Sequence, residues 1–182
     1  MIRIEIDTPP VVAALERLAR ATTDLKPVMQ DIGEALVVST KRRFTTSTAP
    51  DGSPWPDNSD TTVLLLLRRR GGLSKHKTKG GGRNLTRKGV GLLADKKPLI
   101  GESRRLGREI HARATAVEVV IASGLEYAAV QQFGAKARSF AGGKSPWGDI
   151  PARPFLGVSR QDEGTILDVV RDRLTDALKT AI

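Results

Sequence analysis

The stretch Glu109–Ala122, EIHARATAVEVVIA, decides the fold class. Val117, Val119 and Ile121 alternate with Glu118, Val120 and Ala122, the period-two pattern of a strand with a distinct face. Residues 109–115 read as a strand as well, and Ala116 leaves room for a tight hairpin, although no Asn-Gly pair marks the turn. On both sides of this hairpin the period changes to that of helices.

Downstream, Leu125–Phe133 reads as a short helix stopped by Gly134, a favourable residue just past a helix end. Ile150–Leu156 alternates around Pro151 and Pro154, which suggests an edge strand. Ile166, Val169, Val170, Leu174, Ala177, Leu178 and Ala181 then mark an amphipathic C-terminal helix, with Asp162 and Glu163 near its positive end. Upstream, Ile2, Ile4 and Ile6 alternate with Arg3 and Glu5 as a first strand, ended by Pro9 and Pro10. Val11, Leu15, Leu18 and Ala19 fall on one helical stripe. A second helix, begun or kinked at Pro27, carries Val28, Ile32 and Leu36 towards Phe44. The expected class is α+β: a small, mostly antiparallel sheet flanked by N-terminal and C-terminal amphipathic helices, with long flexible loops. One domain spans residues 1–182, with a basic Gly-rich loop at 68–91 and a second loop at 135–149.

The net charge of +10 is concentrated in one segment. No acidic residue occurs from Thr61 to Ala94, which holds Arg68, Arg69, Arg70, Lys75, Lys77, Lys79, Arg83, Arg87 and Lys88. The remainder carries 21 basic against 20 acidic residues, so this segment alone makes the chain basic. Its many glycines and mutual repulsion predict a long mobile loop over about 70–90. Two readings stand open: contact with a polyanion such as nucleic-acid phosphate, or a solvated loop that orders on a protein partner. No aromatic lies between Trp55 and Tyr127, so the segment cannot stack on bases, and any DNA contact would be electrostatic and blind to sequence.

Catalytic signatures are not evident. Cysteine is absent, which excludes disulfides, thiolate metal sites and a cysteine nucleophile. His76 and His111 lie 35 residues apart, far from metal-ligand spacing. No phosphate-binding loop and no nucleophile elbow occurs. Asp51-Gly52 reads as a turn, and no cofactor is expected. The N-terminus lacks the apolar core of a secretory signal, and the aliphatic run Val63–Leu67 falls far short of the ~20 residues needed to span a bilayer.

Three elements carry a resemblance. They are the helix ending at Phe44 with the following APDGSPW (49–55), YAAVQQFG (127–134), and IPARPFLG (150–157) before the last helix. In this order they resemble the virion morphogenesis (tail completion) family of Mu-like tailed phages, across roughly residues 1–180. The resemblance implies a non-enzymatic subunit of the head–tail junction in the virion, assembled in the host cytoplasm. It would form a ring, expected as a hexamer or alternatively a dodecamer. Its partners would be neighbouring neck, portal-side and tail-tube or tail-terminator proteins and the phage DNA in the channel, with no membrane. Under this reading the nine basic residues face DNA, and Trp55, Tyr127, Phe133, Arg153 and Phe155 are candidate subunit or partner contacts. For Phe133 and Phe155 the domain core is the favoured alternative; for Trp55 core and partner are balanced, and for Arg153 an ordinary surface ion pair is the alternative. A sequence-independent nucleic-acid-binding protein acting outside particles is the alternative function.

Overall fold

A computed structural model describes residues 9–21, 24–137, 139 and 148–180. The strand expected over residues 2–6 lies outside the described residues, as does most of the loop expected over 135–149. Helix α1 (Pro9–Ala21) leads into the long helix α2 (Lys26–Thr46), which has Pro27 in its first turn, where the lost N–H has no helical partner to miss. Then come α3 (Asp60–Arg70), the hairpin β1 (Leu73–Lys77) and β2 (Arg83–Leu85), and α4 (Arg87–Asp95). A single turn α5 (Arg105–Arg108) precedes the hairpin β3 (Ile110–Ala114) and β4 (Val119–Ser123), followed by α6 (Ala128–Phe133) and α7 (Arg160–Thr180).

The α+β class holds, but the sheet structure is two separate antiparallel hairpins, β1–β2 and β3–β4. β3 and β4 pair in continuous register from Ile110 opposite Ser123 to Ala114 opposite Val119. The segment expected as a structureless loop is instead ordered: α3, a hairpin and α4 occupy it. The expected edge strand at 150–156 makes only one bridge, Ile150 to Ala135. Pro151 and Pro154 remove two donors, so no ladder can continue. The side chain of Gln132 takes the place of a neighbouring strand: its Oε1 accepts from the backbone N–H of Phe155 (2.9 Å) and Leu156 (3.0 Å), and its Nε2 donates to Leu156 O (2.9 Å).

α2 runs through two apolar clusters. Its first half, Val28, Met29 and Ile32, packs with Ile166 and Val170 of α7 and with α1. Its last turns meet β3 and the 150s segment, where Phe44 contacts Trp55 edge-on (5.3 Å between ring centres) and Phe155 (5.5 Å). Arg43 sits between the clusters. Its Nη1 donates to Phe155 O (2.8 Å) and Gly157 O (2.9 Å), and its Nη2 pairs with Asp162. Asp162 also accepts from Ser159 N–H (2.8 Å), while Ser159 Oγ accepts from Asp162 N–H (3.1 Å). This is a reciprocal box at the start of α7. One buried ion pair thus fixes the central helix, the 155–157 chain and the last helix together.

Candidate functional site

The basic segment folds as an arm. Ser59 caps α3 by accepting from Thr62 N–H, and Gly71 ends it in the left-handed region at φ 69°. Thr86 caps α4, accepting from Gly89 N–H (3.1 Å), and Thr86 N–H donates to Gly72 O (3.0 Å). Gly72 and Gly89 are buried against each other: a Cβ on Gly89 would lie 2.1 Å from Gly72 O. Only this absence of side chains lets the start of the hairpin touch α4. Leu67 and Leu92 lie against Gly72 and Leu85 against Gly89, and the hairpin tip is held by Thr78 N–H to Gly82 O (2.8 Å). The glycines that suggested mobility are in part packing devices.

All nine arm cations are exposed. Arg70 pairs with Glu102 (3.1 Å), and among the described residues the other eight have no carboxylate partner. Lys77 stands directly opposite Arg83 in the hairpin. Like charges at such a position are destabilising. The arm therefore carries a standing repulsion that an external anion would relieve.

The five contact candidates separate. Trp55 (4% exposed), Arg153 (7%) and Phe155 (0%) are interior, so the chain as folded does not offer them to a partner. Trp55 Nε1 donates to Pro154 O (2.7 Å), and Arg153 donates to Pro56 O (2.8 Å) and Asp57 O. Arg153 is thus a stitch between two proline-rich segments rather than a surface ion pair. Burial, partly offset by Asp57, pushes its guanidinium below the usual arginine range. Tyr127 (45%) and Phe133 (63%) are exposed, so the expectation that Phe133 fills the core fails. Phe133 closes the short α6, where Ala128 and Gln132 take the inward positions. Gly134 follows at φ 74°, and a Cβ there would lie 2.7 Å from Ile150 O.

Tyr127 borders an open cleft of about 860 Å³ between α3, the 96–106 segment and α6. Leu65, Leu99, Val130 and Ile150 line it too, and Leu65 is half exposed. Sequence reasoning missed this surface; four consecutive leucines at 64–67, more than one face of a short helix can bury, were the available signal. Lys96 at the edge has its ammonium pushed down by burial and, after that, by the charge of Arg153.

No grouping suited to a metal ion occurs among the described residues, and no described helix is long and apolar enough to cross a membrane. His111 is exposed, and its ring lies 3.3 Å from Glu109. The sequence profile of the phage virion morphogenesis family matches residues 6–80 and 83–175, and the chain belongs to that family. It is 28% identical over 173 residues to "Mu-like prophage FluMu G protein 2" of Haemophilus influenzae, covering 94% of this chain and 95% of that relative. No solved structure matches. The chain is accordingly a phage virion assembly protein, and its family points to a structural rather than a catalytic role.

Proposed function

We propose that the protein is a neck subunit that joins the phage head to the tail, forms a ring around the DNA passage, and turns its basic arm towards the DNA. The observation that carries this reading is the arm. It gathers nine cations with no acidic residue between Asp60 and Asp95 and sets Lys77 against Arg83. Repeated around a ring, such arms would give a strongly positive lumen that holds a polyanion without reading its sequence. The exposed Tyr127 and Phe133 and the cleft beside α6 supply apolar surface for neighbouring neck, portal-side or tail-side proteins.

Electron microscopy of lysates from a phage lacking this gene tests the joining role. Filled heads beside separate tails of normal length are expected; normal infectious virions would refute it. Replacing Arg68, Arg69, Arg70, Lys75, Lys77 and Lys79 with Gln tests the lumen. Particles should still assemble but lose packaged DNA, and fully DNA-stable particles would refute the lumen. The same exposed cations also suit a free nucleic-acid-binding protein. That reading requires binding to duplex DNA outside particles, with log K falling by about 0.9 per contacted phosphate per log unit of salt.

A further inference from the structure

The β1–β2 ribbon sets two groups of cations on one side of the arm, at a fixed separation. Leu73 stands opposite Leu85 and Lys77 opposite Arg83, with a shift of register between the two pairs. Opposed residues of an antiparallel pair point to the same face, and so do residues two apart in one strand. Leu85 and Arg83 are two apart in β2, so all four side chains share a face. That face looks towards α4, because Leu85 Cδ2 lies 3.1 Å from where a Cβ on Gly89 would stand. Lys77 and Arg83 therefore project near the tip of the ribbon, on the side where α4 begins. Arg87 and Lys88 open α4 and form the second group, at the root. The backbone is extended from Arg83 through Thr86, so the four steps from Arg83 to Arg87 cover about 13 Å. All four cations are exposed, and no carboxylate occurs in the stretch that carries them.

Both groups stand at a local cost. Lys77 and Arg83 repel each other across the ribbon. Arg87 and Lys88 sit at the positive end of α4, whose first turn holds no acidic residue. An anion at each group would offset these costs. The ligand that fits carries two rows of negative charge at a set distance. A single nucleic-acid strand offers one row, and the arm has no aromatic ring on which its bases could stack. B-form DNA offers two, on either side of a major groove about 12 Å wide, whereas the major groove of A-form RNA is deep and narrow.

We infer that the arm is built for duplex DNA and bridges its major groove, with Lys77 and Arg83 on the phosphates of one strand and Arg87 and Lys88 on those of the other. This rests on the reading of the arm as DNA-facing and adds to it the form of nucleic acid and the placement of the contacts. The ribbon then acts as a spacer, and the buried contact between Gly72 and Gly89 keeps the root from shifting against the tip.

Binding of the full-length protein to a short DNA duplex, to one of its strands and to the RNA duplex of the same sequence, followed by fluorescence anisotropy over a range of salt, tests the bridge. The DNA duplex should bind about tenfold or more tightly than either of the others. Lys77→Gln with Arg83→Gln, and separately Arg87→Gln with Lys88→Gln, should each lower the slope of log K against log salt on the DNA duplex by about 1.8, for two lost phosphate contacts. Each should also abolish the preference for the duplex. Neither pair of changes threatens the hairpin, since each removes an unfavourable charge arrangement. Lys41→Gln with Arg113→Gln takes the same charge from exposed positions on the body and should leave slope and preference unchanged. Equal affinity for the three ligands, or an equal effect of the body changes, overturns the bridge and leaves a DNA-facing arm standing. Binding to none of them at low salt overturns both and leaves an acidic protein surface as the partner of the arm.

Discussion

Arg43 is the residue on which the two halves of the body depend. Burial lowers its pKa, and the Asp162 carboxylate partly restores it. Burial would raise the pKa of Asp162, but hydrogen bonds from Ser39 and from the Ser159 amide and hydroxyl, together with Arg43, hold it below the usual carboxylate range. Removing one member of a buried pair strands the other. Arg43→Ala should therefore cost about 3–5 kcal/mol in chemical denaturation, and Arg43→Lys should recover little because Lys cannot reach two carbonyls and a carboxylate in one plane. The sign of the pH dependence follows from the depressed Asp162 value. The unfolded chain binds the proton more readily, so this stabilisation is complete above the ordinary Asp value of about 4 and lost as the pH falls through the lower folded value. Asp162→Asn should remove that part of the acid slope in stability measured between about pH 2 and 5. Gln132 is the second such residue. Gln132→Ala leaves two buried amides and one carbonyl without partners, and a loss of about 3 kcal/mol is expected in the same assay.

At the scale of elements, the arm and the body should respond separately, because the arm packs chiefly on itself. Gly89→Ala drives a methyl group into the Gly72 carbonyl, and overpacking of this kind costs about 1–3 kcal/mol. The amides of β1, β2 and α4 should lose exchange protection, while those of α2 and β3 keep theirs. Elements with a regular period were legible in the sequence: the β3–β4 hairpin, α2, α6 and α7 exist where the alternation and the i, i+4 spacing put them, although β4 begins only at Val119, leaving Val117 exposed in the turn, and α6 begins at Ala128 rather than Leu125. The arm was not, because its order rests on a contact between Gly72 and Gly89, which local composition cannot express. Arg153 was misjudged for a related reason. A cation between two prolines reads as surface, and its carbonyl partners at Pro56 and Asp57 lie 97 and 96 residues away. Phe133 failed in the opposite direction: in a helix of six residues the buried side is set by what lies beneath, here the demand of residues 155–156 for Gln132.

For the whole molecule, charge and cohesion are divided. The body is nearly neutral by sequence and holds both apolar clusters, whereas the arm holds nearly all the excess charge. Neutralising the arm should therefore leave the melting temperature within about 2 °C, since exposed charges contribute little to stability. This makes the arm variants usable in particles. The family assignment was legible from three short motifs because they are the places where the body is tied together. Trp55 bonds to the 154 carbonyl, Gln132 serves the 155–156 amides, and Arg153 binds back to 56–57.

The tie between Arg43 and Asp162 spans 119 positions of the chain. On the ribosome, α2 emerges long before the carboxylate it needs, with its guanidinium unpaired and Val28, Met29 and Ile32 uncovered by α7. Completion of the body therefore awaits the last helix to be synthesised. A polypeptide broken off before residue 160 would lack Asp162, Ile166 and Val170, and with them the partner of Arg43 and the α7 face of the second cluster. Such fragments would leave the apolar face of α2 uncovered, the kind of surface that chaperones and proteases act on.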